Sequence, residues 1–186
     1  MSITFWSTML FVPMAVISKN REDIQPDVKT YPKISIIIPA YNEEKVIAHT
    51  IEGLLETKYP KKEIIFVDDG SKDKTLDIAL SYKDKIKVLH KENGGKASAL
   101  NYALVYATGE IVVIVDADTI IGRNSLKEIV KGFEVNEHVV AVAGNIKVRN
   151  RINWITRCQA LEYITGIQIV RRAFDVFGSI TIVPGA

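Results

Sequence analysis

One cysteine, Cys158, is too few for an intrachain disulfide, and the three histidines (His49, His90 and His138) are scattered rather than grouped as zinc ligands. These scarcities point to a reducing compartment and give no structural zinc. Neither sign of charge prevails: 24 Lys and Arg face 22 Asp and Glu, a formal net charge of +2, so bulk charge makes no case for nucleic acid. No GxxxxGK[ST] spacing and no GxGxxG occur, which removes the main support for ATPase and dinucleotide-binding readings. Internal repeats and low-complexity tracts are absent too. What is present, 186 residues of which 47% are hydrophobic and 25% charged, suits one domain with a packed core and excludes disorder as the main theme.

Residues Ile3 to Ile17 carry no charge, and Lys19, Asn20, Arg21, Glu22 and Asp23 close the run. A spanning helix wants about 20 apolar residues, with roughly 17 as a lower limit, and Pro13 is expected to kink this one. A signal peptide needs positive charge ahead of the apolar core; here the positive charge follows it. The run therefore reads as a hydrophobic membrane-anchor segment over residues 1–18, in preference to a soluble core helix. Lys19, Arg21, Lys29 and Lys33 then put the following domain on the cytoplasmic side of the cell membrane. Residues 19–32, with Pro26 and Pro32 among polar groups, read as a linker.

From Lys33 onward, β-branched runs alternate with helical patterns, which predicts an α/β fold with a mostly parallel sheet and helices on both faces. The expected strands are Ile34 to Ile38, Ile64 to Val67, Ile86 to Leu89 and Ile111 to Val115. Apolar residues at helical spacing lie between them, as in Val46, Ile47, Ile51, Leu54 and Leu55, and again in Leu126, Ile129, Val130 and Phe133. A further strand is expected around Val139 to Val148, and a longer helix from about Trp154 to Phe174. In open α/β sheets ligands bind beyond the carboxyl ends of the strands. Pro39-Ala40-Tyr41-Asn42-Glu43-Glu44, Asp68-Asp69-Gly70-Ser71, Lys91-Glu92-Asn93-Gly94-Gly95-Lys96 and Asp116-Ala117-Asp118 each follow a strand, so every polar cluster falls at that edge.

Asp116 and Asp118, two residues apart on extended chain, are expected to point to one side. Such hard oxygen ligands suit Mg²⁺ or Mn²⁺ held by carboxylates and substrate phosphates, against the plainer reading of turn or cap acids. Asp68 and Asp69 repel each other unless something is bound; one of them, with Asp69 preferred, is read as accepting a hydrogen bond from a ribose hydroxyl or base N–H. Ser71 or Asp73 is the expected helix cap, and Gly70 permits the turn. Asn93-Gly94-Gly95-Lys96 reads as a phosphate cradle, with glycine amides near an anion and Lys96 adding charge, or else as a glycine turn beside a solvated lysine. Glu162, Arg171 and Arg172 fit the polar face of the long helix, Trp154 and Phe174 fit core or interface aromatics, and His90 fits a packed histidine.

IIIPAYNEE, VDDGSKDKT, NGGKASALNYAL and VDADT, in this order and spacing, resemble the inverting processive glycosyltransferases of family 2, which have the GT-A fold. The resemblance runs from about Ile34 to Ala186, and QALEY with Gly185-Ala186 looks like the bacterial poly-N-acetylglucosamine synthase branch. It implies that Pro39, Ala40, Tyr41, Asn42, Glu43 and Asp69 hold the uridine, with Asp68 beside them in the donor site. Lys96 would lie near the diphosphate. Asp118 would ligate the divalent metal, and Asp116 would touch ribose or metal. It further implies a UDP-sugar donor, N-acetylglucosamine at branch level, a glycan acceptor, a membrane location and no nucleic acid. The family's later ED or TED motif, which carries the base, and its QxxRW motif do not occur before Gly185-Ala186. Residues 33–186 are accordingly expected to be a GT-A domain truncated ahead of its base, with that base beyond Ala186, since Glu162 and Asp175 stand in the wrong context. Two alternatives are a receiver-type signalling module, whose lysine follows its acids whereas Lys96 precedes Asp116, and a non-catalytic nucleotide-sugar-binding protein.

Overall fold

A near-continuous run of β-branched residues can bury both its faces only if neighbouring strands and helices cover it, and that condition places the four strands. The computed structural model describes residues 3–23, 28, 30–135, 138–145, 152–162 and 169–177. Its elements are α1 (Ile3–Asp23), β1 (Ile34–Ala40), α2 (Ile47–Leu55), β2 (Lys62–Asp68), α3 (Thr75–Leu80), β3 (Lys87–His90), α4 (Lys96–Leu104), β4 (Ile111–Ile114), α5 (Ser125–Glu134), α6 (Trp154–Glu162) and α7 (Val170–Asp175). They fall into two compact units, one holding residues 28–130 and the other residues 1–27 with 131–184.

In the first unit the strands form one parallel sheet in the order β3-β2-β1-β4. The two central strands are the most buried, and the four-residue β3 and β4 lie at the edges. Strand side chains alternate between two cores. Ile36, Ile38, Ile64, Phe66 and Val113 pack with α2, α3 and α5 through Ile47, Ile51, Leu54, Ala79, Leu126 and Val130. Ile37, Ile65 and Val67 meet Ala99 and Ala103 of α4 on the other face. Helices thus cover both faces, as the sequence predicts. Each fully buried Ile or Phe contributes roughly 1.5–3 kcal/mol of apolar transfer.

The register aligns the carboxyl ends of the strands. Ala40 lies opposite Asp68 and Asp68 opposite His90, while the Val115 amide donates to Ile37 O at 3.0 Å. The four loops of interest therefore leave the sheet at one edge. At the opposite edge, Glu63 accepts from Ser35 Oγ at 2.5 Å, from the Thr108 amide at 2.7 Å and from Thr108 Oγ1 at 2.9 Å, with Lys33 Nζ at 3.3 Å.

In the second unit α1 packs against α7, with the Phe11 and Phe174 rings 5.9 Å apart. Helix α1 continues through residues 19–23, where a linker is expected, because Lys, Arg and Glu are good helix formers and charge marks a polar surface rather than a helix end. Pro13 stands inside it. Among the described residues no helix is long and apolar enough to cross a membrane. The strand expected at Val139 to Val148 does not form over residues 139–145, and its last three residues lie outside the described ones. β-branched composition supplies propensity without supplying a partner, and Val140 stands 93% exposed. The single long helix expected from Trp154 to Phe174 is seen as α6 and α7, and residues 163–168 lie outside the described ones. Asn153 caps α6 by accepting from the Thr156 amide at 2.9 Å, and Trp154 is 79% exposed rather than core.

Candidate functional site

Beyond the carboxyl ends of β1, β2 and β4 lies a cleft of about 330 Å³. Pro39, Ala40, Tyr41 and Glu43 line it from the first loop, Asp69 from the second, Lys96 and Ala99 from the start of α4, and Asp116, Ala117 and Asp118 from the loop after β4. Eight of the ten residues expected at the donor and metal sites thus share one cavity. Asn42 and Asp68 are the two that do not line it.

Loop-to-loop hydrogen bonds hold this arrangement. The Asn42 amide donates to Ser71 Oγ at 3.0 Å, and Asn42 Oδ1 accepts from the Lys72 amide at 2.8 Å, with Asn42 itself at φ 57°. The Glu43 amide donates to Thr75 Oγ1 at 2.7 Å, and the Glu44 amide to Asp73 Oδ2 at 3.1 Å. Asn42 therefore fastens one site loop to another. Asp73 also accepts from the Thr75 amide at 3.0 Å, a turn contact just ahead of α3. The N-cap position itself falls to Lys74, so neither Ser71 nor Asp73 is the cap the sequence suggests, because the helix begins later than the loop motif. On the other side of the cleft Thr50 of α2 donates to Ala117 O at 2.6 Å, and the Thr119 amide donates to Asp116 O at 3.0 Å. Asp116 and Asp118 thus lie on a turn, not on extended chain. They share the cleft because Thr50 and that turn hold the loop, rather than through strand alternation.

The glycine loop departs most from expectation. Asp69, nearly fully buried, accepts from the Gly94 amide at 3.0 Å, the Gly95 amide at 2.7 Å and Lys91 Nζ at 2.7 Å. The anion in the amide cradle is the chain's own carboxylate, since a tethered acid reaches it ahead of any free phosphate. Burial pushes the Asp69 carboxyl up, but the bonds from Lys91, Gly94 and Gly95 outweigh it and hold the group below the usual carboxylate range. Two glycines make the approach feasible. Gly95 has φ +84° at the head of α4, and Gly70 has φ +73° with a Cβ position only 2.7 Å from the Asn93 amide nitrogen.

Asp68 is fully buried, with Oδ2 accepting from the Ser71 amide at 3.2 Å and paired with His90 Nδ1 at 2.8 Å; it organises the loop from beneath. His90 is therefore the partner of a buried acid. Glu162, Arg171 and Arg172 belong to the other compact unit, on α6 and α7, where burial lowers the Arg171 guanidinium from its ordinary value.

The cleft's charge is unevenly paired. Lys96 Nζ contacts Asp116 Oδ1, whereas Asp118 is exposed. Burial, then Asp118, Asp73 and Asp116, push the Glu43 carboxyl above its ordinary value. Among the described residues no group of three His, Cys, Asp or Glu is placed to hold a metal. Two carboxylates remain, Asp116 and Asp118, a donor set that fits a hard cation completing its shell with water and phosphate oxygens. Thr50, Thr75 and Lys91 were not singled out by sequence. For Thr50 the signal was a hydroxyl within the apolar stripe of Ile47, Ile51 and Leu54.

Residues 35–184 match the family model described as Glycosyl transferase family 2. The chain belongs to glycosyl transferase family 2. This family 2 chain is 34% identical over 155 residues to the poly-beta-1,6-N-acetyl-D-glucosamine synthases of Staphylococcus epidermidis and Staphylococcus aureus, an alignment covering 82% of the chain and 38% of those relatives. It spans about two fifths of the length of the curated relatives it matches. Among solved structures it is similar to the mannosyltransferase PcManGT from Pyrobaculum calidifontis in complex with GDP-Man and Mn²⁺ (TM-score 0.58, 30% identity, 74% of this chain and 48% of that one). It is also similar to S. aureus TarS in complex with UDP-GlcNAc (TM-score 0.50, 30% identity, 63% of this chain and 41% of that one). The α/β fold of the family 2 chain is of the expected GT-A type, and its membership decides against a receiver-type signalling module.

Proposed function

We propose that the cleft binds the nucleotide diphosphate end of a UDP-sugar, with N-acetylglucosamine as the sugar. The chain then supplies the donor side of an inverting transferase acting on a growing polysaccharide or another glycan acceptor. The observation that carries this reading is the meeting of Lys96, Asp116 and Asp118 in a cleft whose other walls bear Tyr41, Glu43 and Asp69. The names of the staphylococcal synthases, and the UDP-GlcNAc and Mn²⁺ in the titles of the similar structures, support it.

Asp116 and Asp118 are the residues that would hold Mg²⁺ or Mn²⁺. When bound, such an ion supplies positive charge to the leaving diphosphate. The Lys96 ammonium adds a second positive charge, and Tyr41 at the mouth, 43% exposed, offers a ring face to the base. Asp69 keeps the loop that carries Lys96 in place. We place the chain at the cytoplasmic face of the cell membrane on the uncharged run Ile3 to Ile17; recovery in the soluble fraction after cell disruption would remove that part of the reading.

Calorimetry tests the site. UDP-GlcNAc is expected to bind saturably with Mn²⁺ present, to lose affinity with EDTA, and to bind at least about 10-fold more weakly to Asp118→Ala. Binding indifferent to both changes would overturn the proposal.

A further inference from the structure

Among the described charged side chains that line the cleft, Lys96 is the one base against four acids, Glu43, Asp69, Asp116 and Asp118. Asp69 is satisfied from behind by Lys91 and two amides. Lys96 has gone to Asp116, placing its ammonium on an oxygen that a divalent ion would need. The main chain of Lys96 is fixed at the head of α4, because the preceding Gly95 is bonded to Asp69. Its side chain is 48% exposed, so the ammonium can swing away without moving the helix.

We propose that Lys96 is an internal stand-in for the divalent cation: it occupies Asp116 until a diphosphate draws it off, so that metal and nucleotide enter the cleft interdependently. The inference rests on the donor-site reading above and adds an order to it. A metal ion alone meets an Asp116 already neutralised, and must either displace the ammonium from that carboxylate without supplying a new anion for it or bind through Asp118 alone. A diphosphate gives the ammonium that other anion and frees Asp116. Each ligand therefore raises the affinity of the other by the same factor, as linkage requires. The same contact neutralises one member of a crowded acid group.

Titration of the full chain with Mn²⁺, following the electron paramagnetic resonance signal of the free ion, tests this with and without UDP. Wild type is expected to bind Mn²⁺ weakly alone and about 10-fold more tightly with UDP. Lys96→Met is expected to bind Mn²⁺ alone about 10-fold more tightly than wild type, and to lose most of the enhancement by UDP. Lys72→Gln removes an exposed positive charge from the loop bonded to Asn42, and is expected to stay within about 2-fold of wild type. Equal gains in Lys96→Met and Lys72→Gln would reduce the effect to overall charge and overturn the exchange. So would Mn²⁺ binding that UDP leaves unchanged in wild type, or a Lys96→Met variant no tighter than wild type. Absence of Mn²⁺ binding even with UDP would instead strike down the donor-site reading, and the inference with it.

Discussion

The Gly95 amide donates to Asp69 Oδ2 at 2.7 Å across 26 residues of chain, and through that bond the end of β2 holds the start of α4. The Gly94 amide and Lys91 Nζ meet the other oxygen of the same carboxylate. One buried acid thus fixes the position from which Lys96 enters the cleft.

Removing that acid leaves two amides and an ammonium without their partner. Breaking a buried pair by deleting one member costs about 3–5 kcal/mol, so Asp69→Ala is expected to lose roughly 3 kcal/mol of stability in urea unfolding. Asp69→Asn, whose amide oxygen still accepts, is expected to lose less. A loss below about 1 kcal/mol for Asp69→Ala would show that the loop is held by other contacts.

At the far edge of the sheet, Glu63 links stability to pH. Partial burial pushes its carboxyl up, but hydrogen bonds from Ser35, from the amide and hydroxyl of Thr108 and from Lys33 bring it from an ordinary 4.5 down to about 2. A pKa lower in the folded state means that the unfolded chain binds the proton first as pH falls. The contribution is therefore whole well above pH 4.5 and is lost as pH drops toward about 2, with an upper size of roughly 3 kcal/mol. Urea unfolding of wild type and Glu63→Gln should show a stability gap at pH 7 that narrows by pH 3; a gap independent of pH would contradict the assignment.

What was legible in the sequence followed from periodicity. β-branched runs gave the four strands to within two residues at either end, because burial on two faces leaves little freedom in composition. The positions of Asp116, Asp118 and Lys96 were legible because strand ends gather at one edge of a parallel sheet. The hydrogen-bond economy within the loops was not. Nothing in Asn93-Gly94-Gly95-Lys96 states that its amides serve Asp69, since the acid lies more than 20 residues away and only the fold brings it there. Over residues 139–145 the strand expectation failed for the opposite reason, in that strand propensity with no neighbouring strand among the described residues makes no ladder.

Lys62 shows how a charge is used structurally. Its ammonium, with three N–H groups, sits among four acceptors, Leu54 O at 2.9 Å, Leu55 O at 3.0 Å, Thr57 O at 2.7 Å and Thr57 Oγ1 at 2.8 Å, closing the carboxyl end of α2. Burial lowers its pKa from the ordinary lysine value. Lys62→Met keeps the stem and removes the donors, and is expected to cost about 1–3 kcal/mol in thermal or urea unfolding. An unchanged midpoint would mean that water replaces the ammonium at those carbonyls without loss.

Thr50 offers the sharpest separation of site geometry from stability. Its hydroxyl, buried on α2, donates to Ala117 O at 2.6 Å and so holds the turn between Asp116 and Asp118 from the protein side. Thr50→Val preserves shape but leaves that carbonyl without its donor, at an expected cost of about 1–3 kcal/mol. If Thr50 positions the two acids, Mn²⁺-dependent UDP binding should weaken about 10-fold in Thr50→Val, beyond what its reduced folded fraction explains. Thr50→Ser keeps the hydroxyl and loses only a methyl, so it should restore most of the affinity while remaining less stable than wild type. A purely structural role would rank the two variants by stability alone. Affinity that tracks the hydroxyl instead would make Thr50 a positioning residue for the paired acids.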